Sequence, residues 1–258
     1  STSRPAMPSP LRPAWKINLE SFLGRGLPGH QGPVTKHFDG KRFHNLEPKP
    51  HKGLYRLFKW QLSRAPQPDW IEQPGPAQPP AIAERVTGAD LHVTYINHAT
   101  LLIQQHGLNI LTDPLWSERA SPFQLIGPKR HHPPGLTLEQ LPPIDLILVS
   151  HNHYDHLDLH TLAQLAERFP TAQVVSGLGN AALIRESGFT RIAELDWWQS
   201  LALNAEVTLH SVPVQHWSAR STHDTNQTLW LGFVLQSAQG AVLFPGDSGL
   251  GPEFKLIH

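Results

Sequence analysis

The chain has 258 residues, with Lys plus Arg and Asp plus Glu balanced at 21 each, 39 % hydrophobic residues and no Cys. A zero formal charge offers nucleic acid no clustered basic surface, so that partner is excluded. The lack of Cys rules out a disulfide framework or a thiolate metal site and fits a reducing compartment. No apolar run approaches the ~20 residues of a membrane-spanning helix, and no apolar secretory core opens the sequence. The reading is a cytoplasmic protein, with peripheral contact to a membrane left open.

Fourteen of the 25 prolines precede residue 90, and Gln67 to Pro80 is especially rich in them. Proline blocks ladder hydrogen bonds and helix interiors, so residues 1–89 are expected to be an extension of loops and short helices packed on a core. Leu54 to Leu62 is the one plausible helix there, with Leu54, Leu57, Phe58 and Leu62 at helical spacing. From residue 90 to 258 the pattern becomes that of a layered domain. Leu91 to Ile96, Thr100 to Ile103 and Leu108 to Leu111 read as strands, with Gly107 marking a turn, and Ile144 to Val149 is a buried-type strand. Leu159 to Phe169 is an amphipathic helix. Gln173 to Val175 and Val207 to Val212 follow as strands, and Leu229 to Leu235 with Ala241 to Phe244 reads as a hairpin around Gln239-Gly240. Strands interleaved with helices favour an α/β sandwich of sheets with helices outside.

His151-Asn152-His153-Tyr154-Asp155-His156 is the most informative stretch. Neutral imidazole and carboxylate are the usual ligands of a zinc-like ion, and a strand running into a short loop holds them rigidly. His151 and His153 share one side of an extended segment; Asp155 and His156 fall where the chain turns and could face a second ion. Three His and one Asp at this spacing are hard to dismiss as chance, even in a chain with 17 His. A pair such as His131-His132 reads as a solvated loop.

HNHYDH fits the HxHxDH motif of the metallo-β-lactamase fold. The match extends upstream to Tyr95 to Thr100, Leu111 to Pro114, Arg119 to Pro122 and Gly127 to Arg130. Downstream it includes Val214 to Trp217 and Phe244 to Gly249. This set resembles the branch of N-acyl-phosphatidylethanolamine phospholipase D and its bacterial relatives and, less closely, the ascorbate-phosphate lactonases. The resemblance implies an αββα sandwich with two metals at one edge of the sheets, zinc foremost; N and O ligands do not exclude manganese or iron. It implies that His151, His153 and His216 hold the first metal, that Asp155 and His156 hold the second, and that Asp247 bridges them. His216 alone would read as a half-buried His beside Trp217, and Asp247 alone as a turn carboxylate. The resemblance further implies a last His ligand from a strand well beyond Asp247. This sequence stops eleven residues past Asp247, at His258, so the expectation is a sandwich lacking its C-terminal part in this chain, with a weak second site.

Two adjacent cations lower the pKa of a water toward neutrality and neutralise a phosphoryl or carbonyl oxygen. The expected nucleophile is therefore a metal-bound hydroxide oriented by Asp155 and Asp247. Tyr154 is a candidate hydroxyl donor to substrate, equally read as a ring packed beneath the loop. His98 and Asp113 are expected to fix ligand tautomers; Lys129 and Arg130 could meet a phosphate, and Trp116 and Trp217 could line an apolar pocket. The branch implies hydrolysis of a phosphodiester in an N-acyl-phosphatidylethanolamine-like lipid, releasing phosphatidic acid and an N-acylethanolamide. The alternatives are hydrolysis of a lactone or other acyl bond, and a protein that keeps metal without turnover.

Overall fold

Alternation of side chains with a period of two explains most of the architecture. In the strand Leu146–Val149, Leu146 and Leu148 pack into one apolar cluster, Ile147 and Val149 into another, and all four are buried. A strand with apolar residues at every position is one buried on both faces. The pairs Leu102 and Ile103, Leu111 and Ile110, and Val174 and Val175 divide in the same way between the two clusters.

The structure is a computed structural model and describes residues 12–47, 59, 63, 74, 81–123 and 125–257. Among these residues, ten strands form two sheets. The first holds β1 (Leu91–Asn97), β2 (Thr100–Gln105), β3 (Leu108–Thr112), β4 (Leu146–Val149), β5 (Gln173–Gly177) and β6 (Ile192–Leu195), in that order. β1 to β3 are antiparallel, and β3 to β6 run parallel. The second, antiparallel, sheet has the order β10 (Gly240–Phe244), β9 (Gly232–Ser237), β8 (Thr208–Val212), β7 (Ser200–Ala202).

Between the sheets lies a core containing Ile103, Ile110, Leu148, Leu209, Phe233 and Trp230. The other face of the first sheet is covered by α1 (Ala14–Phe22), α2 (Leu159–Arg168) and α3 (Ala181–Arg185), through Ile17, Leu162, Leu165 and Ile184. The expected α/β class is thus present, as helix, sheet and sheet layers. In α2, Leu159, Leu162, Leu165 and Ala166 face this core, and the Asp158 carboxylate accepts the His160 N–H at the helix start. The extension contributes to both cores, Ile17 to one and Phe38 and Phe43 to the other.

Five elements depart from the sequence reading. α1 lies in the stretch expected to hold loops and one later helix; Pro13 fixes an extended entry, and Trp15 and Phe22 stay exposed, so its apolar stripe is thin. α3, β6 and β7 have five, four and three residues, too short to show a period. β9 starts at Gly232 rather than Leu229. The preceding Leu229 and Leu231 N–H groups donate instead to the carbonyls of Leu178 and Ser150, at 2.8 and 3.0 Å. The helix expected over Leu54 to Leu62 lies, apart from Lys59, outside the described residues. The same holds for Gln67 to Pro80 apart from Pro74, and for His258. No helix among the described residues is long and apolar enough to cross a membrane.

Candidate metal centre

The parallel pair β3 and β4 ends side by side, with Thr112 opposite Leu148. Ligands of α/β sheets gather at such carboxyl ends. Asp113, just past β3, accepts from Ser150 N at 2.7 Å and Ser150 Oγ at 2.6 Å, just past β4, and Ser150 Oγ lies 2.9 Å from His151 Nδ1. The second Asp113 oxygen also meets His156 Nδ1 at 2.7 Å. His156 closes a tight turn, its N–H on the His153 carbonyl at 3.1 Å. One fully buried carboxylate therefore fixes the outer nitrogens of two imidazoles and leaves each Nε2 facing inward. Gly246 sits at φ +58°, and a Cβ there would press on the Ser150 side chain; glycine lets the Asp247 loop come this close.

The second sheet brings the remaining groups. His216 and Asp247 lie on neighbouring loops clipped by an isolated bridge between Gln215 and Gly249, with Gly249 N donating to Gln215 O at 2.8 Å. Asn45, from the extension, holds the His216 backbone at both ends: its Nδ2 donates to His216 O at 2.8 Å, and its Oδ1 accepts from His216 N at 3.2 Å.

Two clusters result. In the first, His151 Nε2, His153 Nδ1 and His216 Nε2 are separated by 2.8, 3.2 and 3.3 Å. Nitrogens 2.0–2.1 Å from a tetrahedral ion lie roughly 3.3 Å from one another, so this spacing fits a shared cation. In the second, His156 Nε2 lies 3.3 Å from His98 Nε2, 3.4 Å from Asp247 Oδ1 and 3.7 Å from Asp155 Oδ2, with His98 3.1 Å from that same Asp155 oxygen. Asp247 also reaches His216 Nε2, at 3.8 Å, and so stands between the clusters.

Protonation follows the same division. Burial and neighbouring imidazoles push His151 well below its usual range. His153 and His216 are pushed down to about 4, chiefly by burial, so the first cluster is neutral near pH 7, as ligands must be. Burial also pulls on His156, but Asp113, Asp247 and Asp155 outweigh it and raise the group to about 10. For Asp155, burial works against ionisation, yet His98 and His156 hold the carboxyl well below the usual range; Asp247 is lowered mainly by its bond to His156. A cation held by Asp155, Asp247 and His156 would take the place of the His156 proton.

All six expected metal-ligating residues, His151, His153, Asp155, His156, His216 and Asp247, thus come together. His98 joins them. It turns the β1–β2 corner at φ +46° and enters the second cluster instead of backing a ligand from behind. Tyr154, expected as a donor to substrate, instead donates its hydroxyl to the Arg220 carbonyl at 3.0 Å, and its ring lies 3.9 Å from the Arg220 guanidinium carbon. That is the packing role, and its one O–H is spent there. Lys129 pairs with Glu118 at 3.0 Å, and Arg130 donates to the Trp116 carbonyl at 3.2 Å. Trp116 packs against the core beneath the helices and donates to the Leu136 carbonyl, whereas Trp217, 42 % exposed, meets His153 edge to face at 4.4 Å on the rim. Sequence reasoning missed Asn45 and Arg220, which lie far from the motif and carry no local signature.

Residues 108–256 match the family described as the beta-lactamase superfamily domain. The chain belongs to that family, whose fold implies divalent metal binding. It is 36 % identical over 221 residues to an uncharacterized protein of Mycobacterium tuberculosis, covering 83 % of this chain and 58 % of that one. It is 31 % identical over 232 residues to N-acyl-phosphatidylethanolamine-hydrolyzing phospholipase D 1 of Caenorhabditis elegans, covering 84 % of this chain and 65 % of that one. The chain therefore spans less than two thirds of the length of these relatives. Among solved structures, an isothiocyanate hydrolase from Delia radicum gut bacteria shares the fold, at a TM-score of 0.50, 23 % identity and coverage of 64 % of this chain and 65 % of that one.

Proposed function

We propose that this protein is a metal-dependent hydrolase of phosphodiesters, acting on an N-acyl-phosphatidylethanolamine-like lipid. The observation that carries the reading is the pair of adjoining donor clusters with Asp247 between them. Its substrate class rests on similarity to the Caenorhabditis elegans phospholipase D. His151, His153 and His216 would hold one ion, and Asp155, His156 and His98 the other. Two such ions supply activated water and neutralise charge on the phosphoryl group.

The residues themselves set direction and access. His151 and His156 form the floor, 1 % and 0 % exposed. The His98, Asp155 and Asp247 side chains stand at the mouth, each more than a third exposed. A phosphodiester therefore enters past these three. Asp247 and Asp155 are ionised and placed to orient the attacking water, and Trp217, against His153, gives the mouth an apolar flank. Zinc fits an all-imidazole first cluster, though manganese and iron take the same donors.

The experiment is turnover of bis-p-nitrophenyl phosphate and of N-acyl-phosphatidylethanolamine by the metal-loaded protein, with His151→Ala and Asp247→Ala as controls. We expect hydrolysis of both, reduced at least a hundredfold in each variant. Cleavage of lactones without phosphodiester turnover would replace this reading with the acyl-bond alternative; metal without any turnover would reduce the protein to a metal-binding one.

A further inference from the structure

The polarity of α1 runs against its burial. A helix laid on a core is expected to bury its apolar side and show its polar one. In α1 the buried residues are Ile17, Asn18 and Ser21, two of them polar, whereas Trp15, Phe22 and the capping Leu23 are each half or more exposed. Trp15 and Phe22 are seven residues apart, two turns along one face, and Leu23 follows beside them.

A loop extends this apolar face. Residues 118–130 double back on themselves: Arg119 bridges to Lys129, Ala120 N donates to the Pro128 carbonyl at 3.1 Å, and Arg130 N donates to the Glu118 carbonyl at 2.9 Å. Arg119 Nη1 also donates to the Gly127 carbonyl at 2.6 Å and so braces the tip. There Phe123 meets the Phe22 ring edge to face at 5.3 Å, and Leu125 and Ile126 stand 90 % and 65 % exposed. Single exposed apolar side chains are ordinary, but large ones gathered on two elements in ring contact mark a surface that something covers.

Charge identifies the occupant. Glu20 is paired with Arg12 at 2.6 Å and Glu118 with Lys129 at 3.0 Å, so the acidic groups of these two elements are neutralised. Lys16, Arg25 and Arg119 have no carboxylate within salt-bridge distance among the described residues. An aromatic and aliphatic centre with a cationic border complements a bilayer carrying anionic headgroups, in which apolar side chains enter the acyl boundary and Lys and Arg meet phosphate. We propose that α1 and residues 118–130 form one docking surface for an anionic lipid bilayer. The choice of lipid over protein rests on the substrate reading above, because a phospholipid is met at a bilayer. Both elements are fastened to the metal centre. Asn18 Oδ1 accepts from Arg220 Nη2 at 2.7 Å, and Arg220 Nη1 donates to the carbonyls of Asn152 and Leu157 on the ligand loop, each at 2.9 Å. Ser117 N, at the root of the other element, donates to Asp158 Oδ2 at 3.2 Å. Docking therefore fixes the ligand loop relative to the lipid.

The test uses the metal-loaded protein and vesicles of phosphatidylcholine with or without phosphatidylglycerol. The protein is expected to cosediment with the mixed vesicles and far less with phosphatidylcholine alone. Leu125→Ser combined with Ile126→Ser, at exposed positions that are not ligands, is expected to weaken vesicle binding by about tenfold or more. Turnover of soluble bis-p-nitrophenyl phosphate should stay unchanged in that variant. Lys16→Gln with Arg25→Gln is expected to remove the preference for phosphatidylglycerol. No binding by the parent protein, or binding unaltered by the Leu125 and Ile126 substitutions, would overturn the proposal. So would a dimer in light scattering that the same substitutions dissociate, which would assign the surface to a second copy of the chain. If the protein binds mixed vesicles in this manner yet hydrolyses no phosphodiester, the substrate reading fails and the docking surface stands.

Discussion

Asp113 is the residue on which both clusters lean. One of its oxygens, Oδ2, holds His156 Nδ1 directly and His151 Nδ1 through the Ser150 hydroxyl, while the other accepts the Ser150 N–H, and it does so from φ +32°, a conformation unfavourable for a side chain other than glycine. Partners of this kind typically control metal affinity by 10–100-fold. Asp113→Ala is therefore expected to lower affinity for both ions by about that factor while leaving the six ligands in place; chelator competition measures it, and an unchanged affinity would remove Asp113 from this role. His98 invites a sharper division. His98→Ala is expected to reduce bound metal from about two ions per chain toward one in elemental analysis, sparing the all-imidazole cluster. The motif residues were legible in sequence because one strand end and one loop hold four of them. His98 was singled out only as a partner behind a ligand; its place in the second cluster was not legible, because only the β1–β2 corner aims its ring at His156, and no local spacing encodes that.

The elements explain why ligands so far apart in sequence meet. β4 delivers His151 because it is central in the first sheet, paired with β3 on one side and β5 on the other, and buried on both faces. Leu148 faces the core between the sheets and is fully buried. Leu148→Ala is expected to cost about 2–5 kcal/mol, seen as a lower denaturation midpoint. It should also weaken metal binding, because the strand aims the loop; a loss below 1 kcal/mol would show that the sheets close up around the gap. Such continuous apolar runs gave β4 away in sequence, as did the period of α2. The segments that escaped were those with no period to read: β6 and β7 are stabilised by neighbours already in place, and α1 by Ile17 and by the Asn18 bond to Arg220. Their cause is tertiary.

At the scale of the whole molecule, the candidate metal centre joins the two sheets. His151, His153, Asp155 and His156 follow β4 of the first sheet, while His216 and Asp247 follow β8 and β10 of the second. An ion bound only by the folded protein stabilises it by mass action, so chelation is expected to lower the melting temperature. The pH dependence separates the two clusters. In metal-free protein, His153 and His216 stay neutral down to about 4, whereas the unfolded chain takes up protons below about 6.5. Their burial therefore costs stability as pH falls from about 6.5 to 4. His156 acts in the opposite sense. It keeps its proton to about 10 when folded, so its contribution is complete below about 6.5 and is lost as pH rises from there toward 10. These groups place the stability maximum of chelated protein near pH 6.5, falling on both sides. An ion on His156 Nε2 displaces that proton, so metal-loaded protein is expected to lose the alkaline fall and keep the acid one, where ligands must shed protons to bind. Thermal melts from pH 5 to 9, with and without chelator, decide this: an alkaline decline that persists at full metal loading would mean His156 holds a proton and not a metal.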